Sequence, residues 1–244
     1  MQIALFSDIH GNREAFEACL GAAHGAGRIV ILGDIVGYGA DPGWCLEKAR
    51  ALQAAGAIVL RGNHDQAAAE TRCDMNTNAR IVIEWSRTQL TEEQKQFLLS
   101  LPMAVEEEDR LYVHADGSAP AAWNYVSDVE DAAVHFGGTA ARVSFCGHIH
   151  IPALYCEPPL GRITRFVPNS ETSIPLLAQR RWLCVLGSVG QPRDGNPAAA
   201  FAVYDTEKRE LQFRRAAYDI ETAQQKIRDA GLPDNLASRL ARGH

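Results

Sequence analysis

The sequence predicts an α/β fold with a mixed sheet, more parallel at its start and more antiparallel at its end. Two observations predict this class. In the N-terminal half, short apolar runs alternate with helical patterns, which is typical of parallel strand–helix–strand units. In the second half, apolar runs follow one another with few helices between them, which favours antiparallel pairing. Because 46% of the 244 residues are hydrophobic, a sizeable core can form, and we expect one domain over residues 1–244.

The first part of the chain contains short strands that each end at a polar loop. These strands are predicted over residues 3–6, 28–32 and 57–60. Residues 13–23 carry apolar side chains on one helical face, so a helix is expected after the first strand. A second helix is expected from Asp41-Pro42 to about residue 55, because Asp is a common N-cap and Pro fits the first helical position.

The middle of the chain is predicted to form a helical insert over about residues 66–100. Residues 79–90 carry apolar side chains at helical spacing. The next helix, over residues 91–100, opens with Thr91 and Gln94, which form a capping-box pattern. Pro102 is expected to end it, because proline cannot continue a helix.

The second half of the chain is predicted to be richer in strands. We expect strands over residues 110–114, 142–146, 153–156, 162–167, 182–186, 200–204 and 211–217. One helix, over residues 129–136, interrupts them. Two short helices are expected over about residues 220–241, separated by Gly231-Leu232-Pro233.

Composition excludes several classes of partner and site. The formal net charge of −6 disfavours duplex nucleic acid as the main partner, since duplex binding needs a basic face. No apolar run approaches the roughly 18 residues that a membrane span requires. The six cysteines include no C-x-x-C pair, so neither a thiolate metal site nor a redox dithiol is expected. With no signal-peptide pattern before the first strand, a cytoplasmic protein is predicted.

Side chains that bind metals recur where predicted strands end. Loops at the carboxyl ends of strands are where open α/β sheets place their ligand sites. Five segments have this character, namely residues 7–12, 33–39, 61–65, 113–118 and 146–150. Taken singly, each is also compatible with an ordinary polar turn and a structural histidine. Their repetition at the same structural position indicates a shared site.

The first and fifth segments each place two potential ligands two residues apart. Asp8 and His10 would point the same way in an extended segment, and so would His148 and His150. One ion could then be reached by both members of a pair. Cys146 is expected to pack inward as a small hydrophobic side chain instead of binding metal.

The other three segments add single groups. The two oxygens of Asp34 could bridge two cations, and Asn63 could offer a neutral amide oxygen. His64 could stand beside the metals without binding them, held by Asp65. His114, at the end of a strand, is by itself more typical of a structural histidine.

Together the five motifs resemble the calcineurin-like metallophosphoesterase superfamily. The motifs are D-x-H, G-D, G-N-H-D, a single H, and G-H-x-H, in that order over residues 8–150. Residues 37–39 and 187–193 further resemble its bacterial phosphatase-like branch. The resemblance implies a four-layer αββα sandwich, in which two mixed β-sheets are flanked by helices. One departure is that Ala115 follows His114, where the family often has Gly.

The resemblance also implies a role for each matching residue. Asp8, His10 and His150 would bind a first metal ion, and Asn63, His114 and His148 a second. Asp34 would bridge the two. His64 would protonate the leaving group, oriented by Asp65, after attack by a metal-bridging hydroxide. These nitrogen and oxygen ligands suit Mn or Fe, with Zn, Ni or Co as alternatives.

Other residues are predicted to bind the substrate. Arg61 and Arg193 could grip phosphate oxygens, while Asn12 and Tyr38 could line the pocket. A structural role stays open for Arg61, Asn12 and Tyr38. The substrate is expected to be a small phosphate ester, a nucleotide or a phosphoprotein, and either a monoester or a diester. Whether the chain forms a homo-oligomer stays open, and the alternatives to a phosphoesterase are a non-catalytic scaffold of the same fold and a nuclease.

Overall fold

The computed structural model describes residues 1–70 and 77–244, which form strands β1–β12 and helices α1–α8. The strands are β1 Gln2–Phe6, β2 Arg28–Ile31, β3 Ile58–Val59, β4 Ala104–Glu107, β5 Arg110–Val113, β6 Val143–Cys146, β7 Ala153–Glu157, β8 Thr164–Phe166, β9 Ser173–Pro175, β10 Arg181–Val185, β11 Ala199–Asp205 and β12 Glu210–Ala216. The helices are α1 Arg13–Ala22, α2 Pro42–Ala54, α3 Asn63–Ala69, α4 Thr77–Gln89, α5 Glu92–Ser100, α6 Val129–Gly138, α7 Ile220–Asp229 and α8 Asp234–Leu240.

The strands form two six-stranded mixed sheets. The first has the order β3-β2-β1-β11-β12-β9, in which β1, β2 and β3 are parallel and the others antiparallel. The second has the order β4-β5-β6-β10-β7-β8, in which β5, β6 and β10 are parallel. A buried apolar layer joins the two sheets, with Leu5 and Leu32 on one side and Phe145 and Cys184 on the other.

Helices cover the outer face of each sheet and complete a four-layer sandwich. Phe16 of α1 and Leu46 of α2 pack with Phe6 and Phe201 of the first sheet. Phe136 of α6 lies in the cluster on the outer face of the second sheet. The predicted αββα sandwich is therefore confirmed, whereas the single mixed sheet expected from strand order alone is wrong.

Two of the four edge strands among the described residues escaped prediction because they carry few buried apolar side chains. β4 and β9 are each the last strand of their sheet and pair with one neighbour only. Their side chains are mostly half-buried or exposed, so they lack the apolar runs that mark central strands. The other strand and helix predictions are confirmed within two residues at each end.

Two helix starts depart in detail from expectation. Asp41 occupies the N-cap of α2 but makes no capping bond, and its Oδ2 instead accepts from Lys226 Nζ at 2.7 Å. Helix α3 begins at Asn63, inside the segment predicted to be a loop. The capping box of α5 is confirmed, because Thr91 and Gln94 bond each other's main-chain N–H at 3.0 and 3.2 Å.

The C-terminal helices α7 and α8 pack against the middle of the chain. Ile227 and Leu236 share an apolar cluster with Val82 of α4 and with Tyr38. The predicted helical insert contains most of α3, all of α4 and α5, and residues 71–76; those six positions, including Cys73, lie outside the described residues. Across residues 1–70 and 77–244, no helix is long and apolar enough to cross a membrane.

Candidate metal centre

The five motifs meet where the loops after the strands of both sheets adjoin. The first two loops bond each other, since the N–H groups of Asp8 and His10 donate to Gly33 O and Asp34 O at 3.1 and 2.8 Å. The last two bond in the same way, from Gly147 N to His114 O at 2.9 Å. Strand ends far apart in the sequence thus converge on one buried region.

The backbone of these loops is left-handed, not extended. The φ angles of Asp8 and His10 are 56° and 50°, and those of His148 and His150 are 69° and 64°. The extended backbone expected for each pair is therefore wrong, although Asp8 and His10 do enter one group of ligand atoms, as predicted. The side chains of His148 and His150 in fact enter two different groups of ligand atoms.

The first group consists of Asp8, His10 and His150, all buried, with ligand atoms within 4.8 Å of one another. His10 Nδ1 faces Val36 O at 3.2 Å, and His150 Nδ1 faces Gln191 O at 2.7 Å. A carbonyl can only accept, so both Nδ1 atoms carry the proton of a neutral ring. The two Nε2 lone pairs consequently face each other at 3.0 Å.

The second group consists of Asn63, His114 and His148 and repeats this arrangement. His114 Nδ1 faces Leu32 O at 2.9 Å, and His148 Nε2 faces Trp123 O at 3.0 Å. When both rings are neutral, the remaining nitrogens, His114 Nε2 and His148 Nδ1, point lone pairs at each other across 3.2 Å. The amide oxygen of Asn63 lies 3.2 Å from His114 Nε2 and adds another acceptor.

Asp34 lies between the two groups. Its Oδ2 is 3.6 Å from His10 Nε2 in the first group and 3.4 Å from His114 Nε2 in the second. Its Oδ1 accepts the main-chain N–H of His64 at 2.8 Å, which holds the carboxylate in this orientation. Asp8 is held in the same way by His148 N at 3.0 Å, and its Oδ1 is buried with no hydrogen-bond partner among the described residues.

The two groups are suited to binding cations, because their side chains supply more negative than positive charge. Inward-facing atoms in both groups are acceptors, and metal ions satisfy such a set of nitrogen and oxygen lone pairs. Burial raises the pKa of Asp8 to about 6. Burial alone would lower the pKa of His114, but the adjacent Asp34 carboxylate raises it to about 9, so without an ion a second proton on Nε2 takes the place that a cation would occupy. The buried carboxylates thus draw positive charge towards the centre.

Two glycines allow the loops to approach one another. A Cβ on Gly62 would overlap the Asp34 carboxylate, and a Cβ on Gly147 would overlap Ser7 Oγ and Asp8 Oδ2. Gly62 and Gly147 therefore each lie directly against a buried carboxylate of another motif. Any larger residue would displace that carboxylate.

His64 lies beside both groups, but its predicted contact with Asp65 is wrong. The His64 ring centroid is 4.7 Å from that of His10, and its Nδ1 is buried with no hydrogen-bond partner in the described part of the chain. Asp65 accepts three main-chain N–H groups instead, from Ile35, Val36 and Gly62 at 2.9–3.1 Å. Because Ile35 and Val36 lie in the loop after β2 and Asp65 lies in α3, these bonds hold that loop against the helix.

Two of the predicted substrate-binding residues lie at this centre. The Tyr38 ring packs 4.6 Å from both His10 and His64, and Arg193 Cζ lies 5.6 Å from the Tyr38 ring. Arg193 N also donates to His150 O at 3.3 Å. Burial and then the Arg193 charge hold the pKa of His150 well below its ordinary value.

The other two predicted substrate-binding residues, Arg61 and Asn12, form structural contacts. Arg61 Nη1 donates to Leu99 O at 3.1 Å, in the last turn of α5. Asn12 caps α1 by accepting from Ala15 N at 3.1 Å, and its Nδ2 donates to Gly190 O at 2.9 Å. Both ends of the Asn12 amide are thus engaged in structural bonds. The substrate-binding prediction for Arg61 and Asn12 is not supported by these contacts.

Sequence reasoning did not single out Trp123, Tyr125, Gln191 and Arg239, which lie near the centre. Tyr125 is 55% exposed, and its ring stacks on His148 at 4.4 Å. A cavity of about 630 Å³ opens there, lined by Trp123, Tyr125 and acidic residues that include Asp116. Gln191 binds His150 through its main chain, and Arg239 of α8 reaches Gln191. Trp123, Tyr125 and Arg239 lie outside every motif, whereas Gln191 lies within the 187–193 segment.

Comparison with known proteins agrees with this geometry. Residues 1–209 match the calcineurin-like phosphoesterase superfamily domain. The chain belongs to this superfamily. An uncharacterized protein of Methanocaldococcus jannaschii is 35% identical over 99% of this chain and 98% of its own length. The similarity to this relative therefore continues beyond residue 209, where the superfamily match ends.

Two solved structures are similar to this chain over its whole length. A metallophosphoesterase from Sphaerobacter thermophilus has a TM-score of 0.90 and 36% identity, over 100% of this chain and 99% of that one. A hypothetical protein from Pyrococcus horikoshii OT3 has a TM-score of 0.80 and 18% identity, over 100% of this chain and 98% of that one. At 18% identity, the second likeness shows the fold alone.

Proposed function

We propose that this protein hydrolyses phosphate esters with two metal ions held by the first and second groups and shared at Asp34. The proposal rests above all on the opposed imidazole lone pairs, at 3.0 Å in the first group and 3.2 Å in the second. Backbone carbonyls set each tautomer, so the rings are arranged in advance to receive cations. Membership of a phosphoesterase superfamily supports the reaction class.

A pair of metal ions supplies charge neutralisation to the phosphoryl group and lowers the pKa of bound water. We propose Mn or Fe, because the ligands are imidazole, carboxylate and amide oxygen without thiolate, with Zn, Ni or Co as alternatives. Within the described residues every cysteine is buried and free of disulfides, which fits a reducing cytoplasm.

His64 is proposed as the proton donor to the departing ester oxygen. As water adds to phosphorus, the P–O bond to the alcohol breaks and that oxygen needs a proton. Burial lowers the pKa of His64. An anionic phosphate beside the ring would raise this pKa, because it favours the protonated imidazole. The role of Asp65 is proposed to be positional, since it fixes the turn that carries His64.

The surroundings suggest how the ester is held. Arg193 and Tyr38 border the first group and are proposed to contact phosphate oxygens. The cavity of about 630 Å³ beside the second group offers room for the organic part of the ester. Because Asp116, Asp128 and Asp131 line it, a neutral or basic organic part is favoured over an acidic one.

Hydrolysis of p-nitrophenyl phosphate and of its bis ester, with added Mn²⁺, tests the proposal. We expect turnover of at least one. The His64→Ala variant should retain metal and lose about 10²–10⁴-fold in rate, as removal of a general acid predicts. The Asp34→Asn variant should lose metal from both groups. Metal content is measured by elemental analysis of protein that has not been stripped.

A matched control is His24→Ala, which removes an exposed histidine outside the centre and should leave rate and metal content unchanged. Bound metal without turnover of either ester would favour the scaffold alternative instead. Unchanged metal content and rate in both site variants would contradict the ligand assignment itself.

A further inference from the structure

The C-terminal helices bring a second arginine to the edge of the metal centre. Arg239 lies in α8, beyond residue 209, where the superfamily match ends. Its Nη1 donates to Gln191 Oε1 at 3.1 Å, and Arg193 Nη2 donates to the same oxygen at 3.0 Å. One neutral amide oxygen therefore holds two guanidinium groups side by side.

This arginine pair is connected to the first group through Gln191. The main-chain oxygen of Gln191 accepts His150 Nδ1 at 2.7 Å, and its side chain accepts both arginines. Tyr38 fills the space between, since its ring lies 5.6 Å from Arg193 Cζ and 4.6 Å from the His10 ring. The pair is thus placed just outside the ligands of one proposed metal ion.

The positive charge of the pair lacks a carboxylate side chain beside it. Within residues 1–70 and 77–244, neither Arg193 nor Arg239 forms an ion pair with Asp or Glu, and the nearby Asp194 is engaged by Arg215. Arg193 Nε is buried with no hydrogen-bond partner there. Arg239 Nε donates to the main-chain oxygen of His244 at 2.7 Å. Two like charges held together in this way favour a bound anion.

We propose that Arg193 and Arg239 form a subsite for a second phosphoryl group, so that the preferred substrates are organic phosphates with at least two phosphoryl groups. The inference rests on the proposed function, because the first phosphoryl group is the one held at the metal centre. Guanidinium groups bind phosphate oxygens through paired N–H donors. Their common acceptor, Gln191, is a neutral amide, so it does not neutralise either guanidinium group.

Isothermal titration of Mn²⁺-loaded protein with inorganic phosphate and with pyrophosphate tests the subsite, at one fixed concentration of free Mn²⁺. We expect pyrophosphate to bind the unchanged protein at least about tenfold more tightly than phosphate, as one charge-assisted contact provides. Arg239→Gln should remove most of this advantage. Arg239→Lys keeps the charge but loses the paired N–H donors of the guanidinium group. Its affinity advantage for pyrophosphate should lie between those of the unchanged protein and of Arg239→Gln.

The matched control is Arg242→Gln, which removes a positive charge three residues further along, where the side chain contacts only Ser238 Oγ at 3.5 Å among described hydrogen bonds. It should leave the ratio of the two affinities unchanged. The unfolding temperature of each variant shows whether α8 stays docked. If the Arg239→Gln variant unfolds at a lower temperature than the unchanged protein, the two affinities are compared in the Arg239→Lys variant instead.

Two results obtained with the variant would overturn the subsite. One is equal weakening of phosphate and pyrophosphate by Arg239→Gln, and the other is no change in either. Hydrolysis of p-nitrophenyl phosphate by the unchanged protein, without any preference for pyrophosphate, would overturn the subsite and leave the proposed function standing. Failure to hydrolyse any ester would instead overturn both.

Discussion

Left-handed backbone is concentrated at the residues of the proposed metal centre. The non-glycine residues with this backbone at the centre are Asp8, His10, Asp34, Tyr38, His148 and His150. Such conformations cost on the order of 1 kcal/mol or more each outside glycine and persist only where the surroundings impose them. Here the neighbouring loops impose them through main-chain bonds, such as His10 N to Asp34 O at 2.8 Å.

At the same scale, Gly147→Ala is expected to abolish tight metal binding. The added Cβ would occupy the space of Ser7 Oγ and Asp8 Oδ2, so the Asp8 carboxylate would have to move. Elemental analysis and the p-nitrophenyl phosphate rate measure the effect, and we expect at least about a tenfold loss of metal affinity, as for disruption of ligand-orienting contacts.

Gly137→Ala provides the control for that substitution. Gly137 lies in α6, and an added Cβ meets no atom within 4 Å. In a helix, alanine is expected to stabilise the protein by about 0.5–1 kcal/mol relative to glycine. If Gly147→Ala behaved like this control, the close approach of the two loops would not matter for the metal centre.

Lys226 joins the C-terminal helices to the rest of the fold. Its Nζ donates to Glu14 Oε1 of α1 at 2.5 Å and to Asp41 Oδ2 at the start of α2 at 2.7 Å. Desolvation on its own would lower the pKa of Lys226, but the two carboxylates raise it. This contact also explains why Asp41 does not cap α2, since its carboxylate is bound to Lys226 instead.

Replacement of Lys226 by methionine should therefore lower the free energy of unfolding by about 1–2 kcal/mol, because two partly buried carboxylates lose their shared partner. Urea denaturation measures this change. The control is Arg80→Met, which breaks an exposed pair with Glu84 at 3.9 Å and should cost less than about 0.5 kcal/mol. Equal effects of both substitutions would contradict an anchoring role for Lys226.

The elements show what local sequence can and cannot predict. Central strands such as β1 and β6 were predictable, because they are continuous apolar runs that end at polar loops. The edge strands β4 and β9 were not, since an edge strand needs no apolar side chains. The convergence of the five motifs followed from their position after strands, whereas Arg239 could not be found, because its distance to Gln191 depends on how α8 docks.

On the scale of the whole molecule, the proposed metal ions would join the two sheets. Asp8 and Asp34 follow strands of the first sheet, while His114 and His148 follow strands of the second. Ions bound by both sheets would stabilise only the folded arrangement, since the ligands come together only there. The two sheets and the centre should therefore unfold together.

Added Mn²⁺ should accordingly raise the unfolding temperature, and a chelator should reverse the change. At a hundredfold excess over its dissociation constant, a ligand stabilises by about 2.7 kcal/mol. For a chain of this size that corresponds to a rise of roughly 5–10 °C. Differential scanning calorimetry measures it, and the same titration of Asp34→Asn should show little shift. A full shift in that variant would place the bound metal elsewhere.

The position of β1 has a consequence for synthesis of the chain. β1 lies in the interior of its sheet, yet its neighbour β11 begins at Ala199. The loop around Asp8 is likewise closed by later residues, through Val189 N to Ser7 O and Gly190 N to Asp8 O at 3.0 and 2.9 Å. During synthesis, β1 therefore keeps an open apolar edge until residues 199–205 have been made, which exposes the nascent chain to aggregation and to chaperones.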